Sequence, residues 1–134
     1  MNLCDIYLFC LWHQAKPWWR KFIDEIKSNY EIKMMFKSWF PNDMKMARRF
    51  YGNASLICGY ERKLDGMRGE FIFLTCHDEK MNDVDKIRKL KDNMRKVRNI
   101  KVDYNLIHGS ETLDEFTRQI KIIGELPWQL ATHM

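Results

Sequence analysis

Residues 105–111 read Asn-Leu-Ile-His-Gly-Ser-Glu, and Thr112 follows directly. A strand that includes Leu106 ends at Ile107 and His108, and Gly109 allows a sharp turn beside His108. Thr112 with Glu115 three residues on makes a capping box, so a helix starts just beyond, with Leu113, Phe116, Ile120 and Ile123 on its inner face. Gly124 ends that helix and Pro127 prevents its resumption. His108 therefore stands where a strand runs out, a usual place for a sheet to present chemistry. Its imidazole has a near-neutral pKa and can accept a proton or a phosphoryl group when its other nitrogen is held, and Ser110 offers a hydroxyl within reach.

Upstream, Ile100, Val102, Tyr104 and Leu106 alternate as one strand. Before it lies a helix that Asp83 can cap, with Val84, Ile87, Leu90, Met94 and Val97 on one side. The segment Lys80 to Lys101 carries nine basic residues against three acidic ones, which accounts for the chain's net charge of +5. The positive field is thus confined to one helix, whose solvated face explains part of it. The remainder suits phosphate, or less readily a nucleic-acid backbone.

Towards the N-terminus, Glu70 to Cys76 (EFIFLTC) is a strand by residue type. Residues 53–69 suit either a short hairpin strand around Leu56, Ile57, Cys58 and Tyr60 or a turn of helix. Met46, Ala47, Phe50 and Tyr51 form a short helix closed by Gly52, and Tyr30 to Lys37 alternates as a strand apart from Met35. Trp19, Phe22, Ile23 and Ile26 mark an amphipathic helix over Trp18 to Ser28. Asp5 to His13 (DIYLFCLWH) is continuously apolar, as suits a central strand covered on both faces. Strand and helix alternate four times in 134 residues. The order predicts one α+β domain over 1–134, a ferredoxin-like sandwich with a four-stranded, mainly antiparallel sheet and helices on one face.

The composition is that of an ordinary globular chain, with 46% apolar and 31% charged residues. Cys4, Cys10, Cys58 and Cys76 form no Cys-x-x-Cys pair, which predicts reduced thiols in a cytoplasmic protein. The apolar run Ile6 to Trp12 is too short for a membrane span and lacks the basic flank of a signal peptide. Cys76 and His77, beside Asp78 and Glu79, make only a weak metal signal. Trp12, Trp18, Trp19 and Trp39 suit core or subunit contacts better than base stacking.

Asn105 to Glu111 resembles the segment of the nucleoside diphosphate kinase family that bears its phosphate-accepting histidine, Asn-x-(Ile, Val or Leu)-His-Gly-Ser-(Asp or Glu). Lys33-Met34-Met35 followed by Ala47 to Tyr51 is similar to the family's second strand and the helix ending in a site tyrosine. Ile87-Arg88-Lys89-Leu90 is similar to the helix that supplies a phosphate-binding arginine. The resemblance implies a γ-phosphate moved from a nucleoside triphosphate to a diphosphate through phosphohistidine at His108, with Mg²⁺ arriving with the nucleotide. It implies that Arg88 clamps phosphate, that Arg95 or Arg98 assists, and that Tyr51 and Asn105 shape the pocket. Lys16-Pro17 echoes a Lys-Pro-Asp-Gly segment, although Trp18-Trp19 replace the last two residues. Gln119 falls where the family carries a glutamate that orients the histidine. The family's long nucleotide-clamping loop is reduced to residues 93–102. A homo-oligomer is also implied. The alternative is a non-catalytic ferredoxin-like module whose basic helix binds nucleic acid or an acidic protein.

Overall fold

Strand β1 (Ile6–Leu11) is the axis of the molecule, because both of its edges and both of its faces are occupied. The computed structural model describes residues 6–52, 59–77, 84–96, 106–110 and 112–131. After β1, a 3-10 turn (His13–Trp18) leads into α1 (Trp19–Lys27), and the helix starts one residue later than the sequence predicts. Then come β2 (Glu31–Phe40), α2 (Met44–Tyr51), α3 (Gly59–Met67), β3 (Gly69–His77), α4 (Val84–Lys96), β4 (Ile107–Gly109), α5 (Leu113–Gly124) and β5 (Trp128–Leu130). The sheet order is β4-β1-β3-β2-β5, and every neighbouring pair is antiparallel.

The α+β, ferredoxin-like expectation holds, with two corrections. The sheet has five strands, because Trp128 to Leu130 adds to the outer edge of β2 through register pairs such as Ser38 with Trp128. Helices also cover both faces. Tyr7, Phe9 and Leu11 of β1 pack with Trp19, Phe22, Ile23 and Ile26 of α1 and with Ile87, Leu90 and Met94 of α4. Leu8 and Cys10, with Trp12 just beyond the strand, pack on the opposite side with Ala47, Phe50 and Tyr51 of α2, Leu64 and Met67 of α3, and Ile122 and Ile123 of α5. Side chains alternate across a strand, so an all-apolar β1 needs a hydrophobic layer on each side. One-sided cover would leave Leu8 and Cys10 in water.

Two irregularities account for other departures. The β2–β3 register shifts between Ile32 and Met34, which inserts Lys33 as an extra residue. That bulge moves the alternation by one, and so Met35 breaks the simple pattern. The undecided 53–69 stretch contains α3 from Gly59 onward; residues 53–58 lie outside the described residues, as does most of the predicted strand from Ile100. Among the described residues no helix is long and apolar enough to cross a membrane.

Candidate active site

His108 sits at the middle of β4, the strand at one sheet edge, and pairs with Cys10 of β1. That register turns its ring to the face covered by α2 and α5. Phe50 and Tyr51 of α2 meet the ring edge-on, with centroids 5.2 and 5.3 Å away. Gly109 turns to the other face, where an added Cβ would lie 3.0 Å from Phe9 Cε1 and 3.1 Å from Ile87 Cγ2. Only glycine lets β4 lie this close to α4.

From α5, two side chains reach the same ring nitrogen. Gln119 Oε1 is 2.8 Å and Glu115 Oε1 3.1 Å from His108 Nε2. The Gln119 amide is oriented by its other end, whose Nε2 donates to the carbonyl of Phe50 at 3.0 Å. A carbonyl can only accept, so the oxygen of the Gln119 amide faces the histidine. Both neighbours of His108 Nε2 are then acceptors, and this nitrogen carries the proton. In a neutral ring the lone pair is left on Nδ1. Burial pushes the His108 pKa below its ordinary value, and the charge of Lys91 on α4 acts in the same direction; the Glu115 carboxylate, and more weakly Gln119, oppose it. A neutral imidazole with an available lone pair is a nucleophile.

The other residues singled out in the sequence fall into three groups. Tyr51 lies against the ring, and its hydroxyl accepts a hydrogen bond from Trp12 Nε1 at 3.2 Å. Ser110, expected to serve the histidine, instead ties β4 to β1: its Oγ accepts from Leu8 N at 2.8 Å and its own N–H donates to Leu8 O at 2.9 Å. Lys16 pairs with Glu70 of β3 at 3.3 Å, across β1 from the strand that bears His108. Arg88 is exposed on α4, which packs on the opposite face of the sheet, and it is Lys91, one turn on, whose charge is felt at His108. The side chain of Arg95, together with Arg98 and Asn105, lies outside the described residues.

The remaining readings resolve by strand geometry. Cys76 is buried and its thiol pKa is pushed up by burial, whereas His77, on the opposite face of β3, lies 4.0 Å from Glu31. Adjacent strand residues point apart and cannot hold one ion. Trp12 and Trp19 are buried core residues, while Trp39 is exposed. Two clefts, of about 240 and 580 Å³, lie away from His108; one borders Trp39, Glu70 and Trp128, the other Arg49, Arg118 and Lys121.

Solved structures supply the comparison. The nucleoside diphosphate kinase of Aquifex aeolicus superimposes with a TM-score of 0.61 over 89% of this chain and 94% of its own, at 19% identity. The fold is that of a nucleoside diphosphate kinase. The halophilic nucleoside diphosphate kinase of Halobacterium salinarum, solved in complex with CDP, matches 91% of this chain and 90% of its own with a TM-score of 0.56 and 15% identity. No family model and no curated protein sequence matches. The nucleoside diphosphate kinase fold is thus present in a sequence that shares less than a fifth of its residues with either of these two enzymes.

Glu115 is the residue near His108 that sequence reading missed. It was visible only as the second member of a capping box, a role its backbone N–H fulfils by donating to Thr112 Oγ1 at 3.1 Å. The available signal was spacing, because Glu115 and Gln119 are four apart and share a helix face.

Proposed function

We propose that the protein is a phosphotransferase of the nucleoside diphosphate kinase type, carrying the phosphoryl group on Nδ1 of His108. The fixed tautomer of His108 carries this reading: with the Nε2 proton directed at Gln119 and Glu115, Nδ1 holds the lone pair. In the first half-reaction this lone pair attacks the terminal phosphorus of a nucleoside triphosphate. The N–P bond forms as the P–O bond to the leaving diphosphate breaks, and that oxygen keeps the electron pair. A terminal phosphate oxygen of an acceptor diphosphate then attacks the same phosphorus, and the N–P electrons return to Nδ1.

Phosphoryl transfer is mainly a matter of positioning and charge neutralisation. Phe50 and Tyr51 fix the ring plane, and α4 contributes positive charge through Lys91. Among the described residues no three His, Cys, Asp or Glu side chains gather to hold a metal. By the resemblance to nucleoside diphosphate kinases, Mg²⁺ would arrive with the nucleotide and offset the charge of its phosphates.

Incubation with γ-labelled ATP and GTP in Mg²⁺ is expected to leave an acid-labile, base-stable label on the protein. The label should be lost in His108→Gln and should chase into added nucleoside diphosphate. A wild-type protein that takes up no label refutes this function.

A further inference from the structure

We propose that Glu115 is a positioning residue for His108 that carries the negative charge α5 brings to the ring, while Gln119 fixes the ring's orientation. The inference rests on the phosphotransfer reading for its purpose, but its geometry stands independently.

Gln119 is built for orientation. It is fully buried, its amide nitrogen is anchored on the Phe50 carbonyl, and its oxygen lies 2.8 Å from His108 Nε2. A carboxylate in its place would set an oxygen against the Phe50 carbonyl oxygen, and two acceptors cannot satisfy each other. The amide therefore belongs to this packing, and with it position 119 carries no charge.

The charge is one helical turn earlier. Glu115 Oε1 is 3.1 Å from the same nitrogen, and its side chain keeps about a fifth of its surface in solvent. Partial exposure lowers the desolvation cost of the carboxylate, whereas the fully buried position 119 would impose the full cost. The elements around the ring contribute Tyr51 from α2, Lys91 from α4, and Glu115 and Gln119 from α5. Among these described residues Glu115 is the acidic one.

Attack through Nδ1 needs that charge. When Nδ1 donates its lone pair to phosphorus, the ring retains the Nε2 proton and becomes cationic. A carboxylate on Nε2–H stabilises the developing imidazolium, as the aspartate does in serine-protease triads. Without Glu115, the buried ring and Lys91 would both oppose the change.

The experiment compares wild type, Glu115→Gln, Glu115→Asp and Gln119→Leu. Glutamine suits the capping box as well as glutamate, so Glu115→Gln should fold normally. NMR titration of the His108 ring is expected to move to lower pH in Glu115→Gln, to move back part of the way in Glu115→Asp, and to move less in Gln119→Leu. Single-turnover labelling should slow by roughly 10- to 100-fold in Glu115→Gln, the range known for loss of a carboxylate hydrogen-bonded to a metal-binding histidine. An unchanged His108 titration in Glu115→Gln overturns the inference whatever the activity. A shifted titration in a family of variants that includes an unlabelled wild type supports the charge assignment and refutes phosphotransfer alone.

Discussion

The carbonyl of Phe50 accepts two hydrogen bonds, from Gln119 Nε2 at 3.0 Å and from Arg118 Nη2 at 3.2 Å, and this makes a double-mutant cycle decisive. Gln119→Leu removes two hydrogen bonds and shortens the side chain by one heavy atom. Each is worth about 0.5–1.5 kcal/mol, which gives a loss of about 1–3 kcal/mol. No polar group is left unpaired, because His108 Nε2–H keeps Glu115 and the carbonyl keeps Arg118. Arg118→Met alone removes a single bond to the carbonyl, at about 0.5–1.5 kcal/mol, with some lost packing under Gly52. In the double variant a buried carbonyl has lost both donors, and an unmet buried acceptor costs about 1–3 kcal/mol more. The double variant should exceed the sum of the singles by that amount. Urea unfolding followed by tryptophan fluorescence is a suitable assay, since Trp12 is fully buried between the sheet and α2. Additivity within about 0.5 kcal/mol would refute the shared-acceptor arrangement.

Acidification supplies a second test. Burial lowers the folded-state pKa of His108 from its ordinary 6.5. The unfolded ring therefore binds its proton first as pH falls, and the stability present above 6.5 is lost through the window below it. His108→Gln should flatten that part of a Tm-against-pH curve, and an unchanged slope would contradict the burial argument. At Gly69, φ is +111° and an added Cβ would lie 2.8 Å from Cγ of His13, whose Nδ1 is 3.1 Å from the carbonyl oxygen of Glu70. Gly69→Ala should cost about 1–3 kcal/mol in thermal or denaturant unfolding; an unchanged midpoint would show that the turn adjusts freely. Tyr51→Phe removes the acceptor for the buried Trp12 Nε1 and should lower stability by about 1–3 kcal/mol. Equal stability would mean that the indole has another partner.

Periodicity made much of this fold legible. The unbroken apolar run of β1 identified a strand with two covered faces, and the capping box located α5 at Leu113. Other features depend on contacts far along the chain. Trp128 to Leu130 has no strand pattern and is exposed throughout; it is a strand because β2 offers it a free edge. α3 has a weak apolar stripe and is held by Leu64 and Met67 against the second core layer. At the site, the motif around His108 and the count to Gln119 identified two side chains that meet in space. The basic residues of α4 were harder, because the 3.6-residue period shows which side is polar without showing which residue passes the sheet edge. Arg88 was implied by the resemblance of Ile87 to Leu90 to a family helix, whereas the charge that acts on His108 is that of Lys91, one turn on.

The strand at the axis has a further consequence for how the protein is made. Leu8 exchanges two hydrogen bonds with Ser110, 102 residues away, and β1 lies between β3 and β4. β1 thus leaves the ribosome some 102 residues before the partner that completes this edge. Until residue 110 is available, an apolar ribbon waits with one side unsealed, a state that favours slow folding and stray pairing with other chains. Ser110 would then be a latch that closes the nascent sheet, and its loss would be felt first as poor yield during synthesis.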